Sequence, residues 1–387
     1  MNSPLSRRQW FKSSIALTAG LTLGPSLVEK LFAGPVSNAE RHLWGLKDYS
    51  FFNGHIRLNA NENPYGPSEQ AREAIRQIVT EANRYPFVAQ GELRKLIADK
   101  EGVDLEYIHL GAGSGDILCQ TGVAFGLENG QILSGFPTFA EMMDYAKVFN
   151  ATWDKVNLNE KLEYDYEAMA SRINSKTRLV FFVNPNNPTG TLVEPGKVKA
   201  FCEEVSKKIP VFSDEAYLEF LSPEMQKKTT NLDLVKQGKN VIVSRTFSKI
   251  YGLAGLRIGY IVAKPDLVKK IAQYQMGIPI SQPAIAAAKA SLGDDSFMNM
   301  VRTKNAEARG HLEAYLEKKG YFYGKSHTNF MFFPAPIEGK TILSKMQDKK
   351  ILMRIWDYDN REWCRVSIGT LDEMKQFTTA FDAVISS

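Results

Sequence analysis

An α/β fold is what this chain of 387 residues predicts: a large domain on a mostly parallel, helix-covered sheet, then a smaller α+β domain at the C-terminal end. Three observations predict it. Short apolar strands alternate with helical patterns through the middle of the chain. Polar signatures follow directly on strand ends, at Gly113, Asn187, Asp214 and Lys249, which is where open parallel sheets hold ligands. Hydrophobic residues make up 44% and charged residues 24%, a globular composition in a chain long enough for two domains. The expected division is an export signal and linker over 1–39, an N-terminal arm over 40–67, a large cofactor-binding domain over 68–275 and a small domain over 276–387.

Composition excludes several function classes. The formal net charge of +5 is small for this length and its basic residues are scattered, so nothing here asks for nucleic acid. Cys119, Cys202 and Cys364 form no C-x-x-C pair, and the five histidines are dispersed. A disulfide framework and a metal site are therefore not expected. At the N-terminus, Arg7 and Arg8 with Trp10, Phe11 and Lys12 precede a weakly apolar run over 13–28. Basic then apolar is the order of an export signal. The pair resembles a twin-arginine leader, with Trp10 where the usual pattern has Phe. The run is short and broken by Ser, Thr, Gly and Pro, so stable membrane insertion is not expected. The expectation is a periplasmic or otherwise exported protein, and a cytoplasmic one if the arginine pair is fortuitous.

The elements follow in order. Residues 57–67 (RLNANENPYGP) hold two prolines, a glycine and three asparagines. They read as an extended loop, a candidate site or subunit-contact loop because of Glu62 and Tyr65. A helix is expected over 68–82 with Ser68 as N-cap, and another over 91–101. A strand over 107–110 runs into Gly111-Ala112-Gly113-Ser114-Gly115-Asp116 and a helix. Strand, glycine turn and helix N-terminus make an anion cradle. The spacing fits neither the dinucleotide fingerprint nor a Walker loop, which leaves another phosphate or a plain tight turn. A strand over 131–134 ends near Phe139, a residue that fits either a cover for a planar ring or the core. The apolar strand 177–183 enters Asn184-Pro185-Asn186-Asn187-Pro188-Thr189-Gly190. A helix over 194–207, a strand over 210–213 ending at Asp214 and Tyr217, and strands over 240–244 and 257–262 complete the large domain. Helices over 266–274, 282–292 and 296–320 follow. The small domain then reads as strand 328–333, helix 340–348, strand 351–355, strand 365–370 and helix 371–385. Arg354 and Arg365 lie on these strands. A buried arginine requires an anion, so each is a candidate substrate clamp or half of a structural ion pair.

Between the strands at 240–244 and 257–262 stands the stretch SRTFSKIYGLAGLRIGY. It surrounds Lys249 with Thr246, Ser248 and Arg257. A lysine past a strand end, with hydroxyls and a fixed arginine beside it, suits capture of a phosphorylated aldehyde as a Schiff base. A solvated loop lysine is the alternative that this stretch alone leaves open.

Taken together, NENPYGP, GAGSGD, NPNNPTG, SDEAY, TFSKIYGLAGLRIGY and RVSIGT, in that order, resemble the fold-type I pyridoxal-phosphate aminotransferases of class I/II. The resemblance spans nearly everything after the leader and is greatest to the histidinol-phosphate aminotransferase branch. It implies pyridoxal 5'-phosphate as cofactor, with Lys249 as the Schiff-base lysine and Asp214 as partner of the ring nitrogen. It further implies Tyr217 and Asn187 on the ring's 3-oxygen and Phe139 over the ring. Gly113, Ser114, Thr246, Ser248 and Arg257 match the phosphate cup. Tyr65 matches a tyrosine that crosses to the phosphate of a second subunit, which implies a homodimer with shared sites. Arg365 matches the arginine that takes the substrate carboxylate or phosphate, with Arg354 and Asn187 beside it. Ala112 and Ser114-Gly115-Asp116 depart from the residues common in that branch, so the substrate stays open.

The activity implied is ping-pong transamination between an amino acid, or an amino-alcohol phosphate, and a 2-oxo acid such as 2-oxoglutarate. Decarboxylation or lyase chemistry on the same scaffold is the alternative. A non-catalytic module that keeps the fold is a third reading, disfavoured because Lys249 and Asp214 are both present.

Overall fold

The computed structural model describes residues 54–127 and 129–386. The leader and the stretch around Phe51 and Phe52 lie outside the described residues. In chain order the strands are β1 (Ile56–Arg57), β2 (Ile108–Gly111), β3 (Gln131–Phe136), β4 (Thr152–Asn157), β5 (Thr177–Val183), β6 (Val211–Asp214), β7 (Val241–Thr246), β8 (Gly259–Ala263), β9 (Phe330–Pro334), β10 (Ile351–Leu352), β11 (Arg354–Tyr358) and β12 (Arg361–Ser367). The seven-stranded sheet runs β2-β8-β7-β6-β5-β3-β4. Its pairs are parallel from β7 through β6, β5 and β3 to β4, while β8 is antiparallel to both β7 and β2. This is the mostly parallel sheet the sequence predicts.

Burial on both faces explains the composition of the central strands. β6 and β7 are buried at every position, and β5 at all but Arg178. Strands covered on both faces lose polar alternation and become runs of Val, Ile and Phe. β4 differs. It is an edge strand with pattern TWDKVN and only two buried positions, too polar to stand out, and residues 140–176 carry no strong signal in sequence. The helices Glu141–Lys147 and Tyr166–Arg172 in that span have seven residues each, shorter than the window in which helical periodicity can be read.

Helix starts obey their caps. Ser68, Asp165, Ser281, Asp294 and Thr370 each accept a hydrogen bond from a first-turn N–H, and Thr370 completes a capping box with Glu373. The helix expected over 68–82 is α-helical over Glu69–Ile78 and tightens to 3-10 over Val79–Glu81. The helix expected from Gly91 begins at Phe87. Phe87 and Val88 are largely exposed, so its first turn lacks the apolar face that marks a start. The strand expected from Arg257 begins at Gly259, and Arg257 itself takes a left-handed backbone with φ 54°.

The C-terminal strands form a three-stranded antiparallel sheet, β11-β12-β9, and a short pair, β1-β10. The single strand expected over 351–355 is therefore two, parted at Met353 and serving different sheets. β9 shows why this region packs as it does. Phe330 and Phe332 belong to the main core, whereas Met331 and Phe333 belong to a second core with Leu58, Leu312, Met374 and Phe377. Period-2 alternation thus lets one strand join two cores. Trp363 on β12 stacks on Phe332, with ring centroids 4.8 Å apart. Among the described residues no helix is long and apolar enough to cross a membrane, and no cluster of three or more His, Cys, Asp or Glu is placed to hold a metal.

One buried charge cluster anchors β7. Arg245 lies 3.0 Å from Glu215, 3.6 Å from Glu219 and 3.7 Å from Glu101, with all four side chains buried. Tyr260 donates to Glu101 at 2.7 Å. Burial pushes the carboxyl groups of Glu215 and Glu219 up, and the arginine opposes that rise. Removing the arginine leaves Glu215 without its ion-pair partner and Glu219 with only the weaker pull of Lys100, and breaking a buried pair costs about 3–5 kcal/mol. Raised folded pKa values mean that the unfolded chain loses protons first, so the penalty grows as pH rises. Arg245→Met is expected to lose about 3 kcal/mol or more at pH 8 and clearly less at pH 5. Urea melts at both pH values check this, and an equal loss at both would contradict it.

Candidate active site

The carboxyl edge of the large sheet and the edge of β11 and β12 enclose a cavity of about 300 Å³. Its walls include Asn61, Phe139, Asn187, Asp214, Tyr217 and Lys249. Arg257 and Ser114 mark one end, and Arg354 and Arg365 another part of the wall.

Lys249 stands three residues beyond β7, and its Nζ donates to the carbonyl of Asn61 at 3.3 Å. Burial, with Arg365 and then Arg257 adding repulsion, pushes its amine down to about 8; Glu62 and Asp214 pull the other way. A buried lysine of this kind is a nucleophile in reach of neutral pH.

Asp214 ends β6, in register with Val183 of β5 and Ser244 of β7. Its Oδ1 accepts from the Ala216 N–H at 3.1 Å and the Ser244 hydroxyl at 3.4 Å. Burial raises its carboxyl to about 7 against those two bonds, with Glu215 and Glu141 adding to the rise. Among the described residues no lysine or arginine lies within ion-pair distance of it.

Tyr217 and Asn187 are wired together. The Tyr217 hydroxyl accepts from Asn61 Nδ2 at 3.1 Å and from Asn187 Nδ2 at 3.4 Å. Burial raises the phenol to about 12, with Arg365 opposing. Asn187 Oδ1 in turn accepts from Arg365 Nη1 at 2.9 Å. Arg365 also donates to the Asn59 carbonyl at 3.0 Å, while its buried Nε has no partner. Burial lowers this guanidinium to about 10, and Arg354 adds repulsion. Arg354 is the cross-strand partner of Arg365. It is exposed rather than buried, so the desolvation argument applies to Arg365 alone. Two like charges facing each other call for an anion between them.

The anion cradle takes shape around Arg257. Gly113 has φ 84°, and a Cβ there would lie 2.4 Å from Arg257 Nη2, so only glycine admits the guanidinium. The helix Ser114–Gly126 starts at the next residue. Arg257 donates to the Ser248 hydroxyl at 3.4 Å and Thr246 donates to Ser248 at 3.0 Å. Helix N-terminus, hydroxyls and arginine together fit a phosphate.

Every residue expected on the sequence stands at or beside this cavity except Tyr65. Tyr65 lines a separate small cavity with Asn63, Phe220 and Asn305, under Lys304 at 5.2 Å from its ring. Two contributors escaped the sequence reading. Asn61, with φ 54°, bonds Tyr217, Ser367 and, through its carbonyl, Lys249 and Asn329. Its place in an asparagine-rich loop was the available signal. Glu141 lines the cavity beside Gly115, where a Cβ would meet its carboxylate at 2.8 Å. Burial raises Glu141 against Arg257 and Lys249. It belongs to no motif, and no sequence feature marked it.

Residues 53–381 match the family "Aminotransferase class I and II". A histidinol-phosphate aminotransferase of Moorella thermoacetica is 33% identical over 356 residues, 91% of this chain and 89% of that protein. Histidinol-phosphate aminotransferase 1 of Cupriavidus pinatubonensis is 33% identical over 372 residues, 94% of this chain and 96% of that one. The crystal structure of histidinol-phosphate aminotransferase from Sinorhizobium meliloti in complex with pyridoxal-5'-phosphate superposes with a TM-score of 0.79 at 24% identity, covering 92% of this chain and 99% of that one. L-threonine-O-3-phosphate decarboxylase from Porphyromonas gingivalis shares the fold, with a TM-score of 0.72 at 21% identity over 86% of this chain and 100% of that one. With the family matched along most of its length and relatives a third identical over nine-tenths of it, the chain belongs to the class I and II aminotransferases.

Proposed function

We propose that this protein is a pyridoxal 5'-phosphate-dependent aminotransferase that moves an amino group from an amino acid, or an amino-alcohol phosphate, to a 2-oxo acid such as 2-oxoglutarate. One observation carries the reading. A lysine lowered to about 8 shares a cavity with a buried carboxyl group, Asp214, that among the described residues has no lysine or arginine within ion-pair distance. A pyridinium nitrogen is the cation that such a carboxylate lacks. The rest of the wall fits the same group. Ser114, Thr246, Ser248, Arg257 and the helix N-terminus behind Gly113 would hold its phosphate. Asn187 and Tyr217 would hold its 3-oxygen, Phe139 would cover its ring and Lys249 would bind its aldehyde carbon.

Pyridoxal 5'-phosphate supplies an electron sink for the charge left on the substrate Cα when a proton departs. The protein supplies the rest. Arg365, already oriented by Asn187 and Asn59, binds the substrate's anionic group, and Arg354 offers a second cation on the open side. Lys249 Nζ would take the proton from the substrate Cα and return it during transfer. Asp214 would hold the ring nitrogen, and a cation there would offset the desolvation that raises this carboxyl. The Arg365 guanidinium also lies 5.6 Å from the ring centroid of Trp356.

Tyr65 stands apart from the cavity of its own chain, which supports a homodimer in which it serves the other subunit's site. Mixed dimers test this. Lys249→Ala and Tyr65→Ala chains, each impaired alone, are expected to regain activity when paired, because one intact site then forms. No recovery in verified mixed dimers would refute the exchange.

Lys249 carries two further expectations. Lys249→Ala abolishes cofactor fixable by borohydride, and retained covalent label would overturn the assignment. In the wild-type chain stripped of cofactor, the initial rate of pyridoxal labelling should rise with a midpoint near pH 8. An unshifted lysine would still be gaining reactivity above pH 10. The reaction class is tested by mixing the yellow protein with a panel of amino acids. The expected outcome is a pyridoxamine-type spectrum that 2-oxoglutarate reverses. Carbon dioxide release without that half-reaction would instead establish decarboxylation.

A further inference from the structure

We propose that Tyr164 is a positioning residue of the reaction, through which the loop carrying Phe139 and the loop carrying Asn187 are held in one arrangement. The inference rests on the cofactor reading above but concerns a residue outside the cavity's catalytic wall.

Tyr164 is buried behind the carboxyl ends of β3 and β5, between the edge strand β4 and the helix Tyr166–Arg172. Its hydroxyl uses every hydrogen-bonding position it has. It donates to Asn186 Oδ1 at 2.7 Å, accepts from the Val183 N–H at 3.1 Å and shares a 2.7 Å bond with Thr138 Oγ1. One donor and two lone pairs are the whole capacity of a phenol. With the donor on Asn186, the Thr138 hydroxyl donates to Tyr164.

The three partners are not arbitrary. Thr138 immediately precedes Phe139, Asn186 immediately precedes Asn187, and Val183 is the last residue of β5, in register with Asp214. Asn186 extends the connection, its Nδ2 donating to the Pro137 carbonyl at 3.1 Å and to Thr189 Oγ1 at 2.9 Å. The two loops are therefore tied to each other at Tyr164 and Asn186 rather than through the cavity. Strand β3 is shaped for this ring. A Cβ at Gly135 would lie 2.2 Å from Tyr164 Cδ1, so the glycine is the space the tyrosine fills.

The consequence runs through Asn187. It spans Tyr217 and Arg365 with one amide, at 3.4 and 2.9 Å, and a small rotation of its loop breaks one bond or both. Removing the Tyr164 hydroxyl leaves the Val183 N–H buried without it and Asn186 Oδ1 with only the longer contact from Thr138 Oγ1 at 3.3 Å, and buried polar groups move to find partners. Misplacement by about 1 Å near reacting groups costs on the order of a hundredfold in rate.

The test is Tyr164→Phe, with Thr138→Val as the companion that removes only the donating hydroxyl. Both are purified with pyridoxal phosphate, and the pH midpoint of the bound chromophore's colour change is measured beside kcat, KM and melting temperature. The expected result for Tyr164→Phe is a midpoint displaced by about half a unit or more, since Asn187 and Tyr217 set the ring's 3-oxygen environment. With it goes a fall in kcat of about tenfold and a smaller change in KM. Thr138→Val should shift both in the same direction by less, and the double variant should fall short of the sum. A purely structural role would lower the melting temperature while leaving midpoint and kcat as in the wild type, and that result overturns the proposal. If Tyr164→Phe does not fold, Thr138→Val decides by the same two readouts. A wild-type protein that binds no chromophore would sink the cofactor reading and this one with it; a bound chromophore with an unmoved midpoint sinks only this one.

Discussion

Asp214 is an acid buried at the carboxyl edge of a parallel sheet, with no lysine or arginine among the described residues within ion-pair distance, and the site is built around it. Its strand lies between two others that are buried almost throughout, so it is shielded on both flanks and faces the cavity that it lines. Its two hydrogen bonds come from its own turn and from Ser244 on the next strand. They soften the desolvation but do not cancel it, because a carboxylate needs several such donors or a charge before burial ceases to matter. Arg245, the residue after Ser244 on the neighbouring strand, is already committed to three glutamates. Glu215, the neighbour of Asp214 in sequence, thus takes a cation that Asp214 does without. Adjacent residues at one strand end, pointing to opposite faces, therefore have opposite fates.

A second constraint is the meeting of the two sheets. Arg365 lies on β12, far along the chain from Asn187, yet the two bond at 2.9 Å. Asn61 makes that meeting definite, since its backbone and side chain bond Ser367 on β12, and its amide reaches Tyr217 beyond β6. Asn329 closes the set by donating to the Asn61 carbonyl. With β9 contributing to both cores, the C-terminal sheet is fixed against the site by packing on one side and by asparagine bonds on the other. A loop of irregular backbone survives there because side chains supply the hydrogen bonds that a ladder would otherwise provide.

How much of this was legible follows from where the signals lie. Strands buried on both faces announce themselves, and β5, β6 and β7 were readable to within two residues at either end. The signatures after them, at Asp214, Asn187 and Lys249, were readable because each follows directly on a strand end, where open parallel sheets hold ligands. The span from Glu141 to Arg172 was silent. Its strand is a polar edge and its helices are two turns long, so periodicity had nothing to work on. That silence concealed Glu141 and Tyr164, which act through contacts distant in sequence and belong to no motif. Tyr65 was legible as a site residue, but one chain alone does not bring it to a cavity. The break at Met353 was invisible because extended sequence runs straight through it, and only pairing separates the two halves.

The charge balance of the cavity explains why its groups need a ligand to be comfortable. Asp214, raised to about 7 from an ordinary 3.8, keeps its proton in the fold after the unfolded chain has lost it. Between those values its contribution to stability therefore declines as pH rises. Lys249, lowered to about 8 from an ordinary 10.5, loses its proton in the fold while the unfolded chain still holds one. Its contribution declines as pH falls through that window, and below about 8 the full penalty remains. At neutral pH the two penalties overlap, since the acid is pressed to ionise and the amine to charge in the same dry space. Arg365 and Arg257 repel the lysine, and Glu62 and Asp214 offset that only in part. A ligand that brings a cation to Asp214, an anion to Arg257 and a covalent partner to Lys249 relieves each of these at once. Its binding energy then includes the strain the empty fold already carries, which is how a site of modest volume can hold a small molecule firmly while keeping its reactive groups poised.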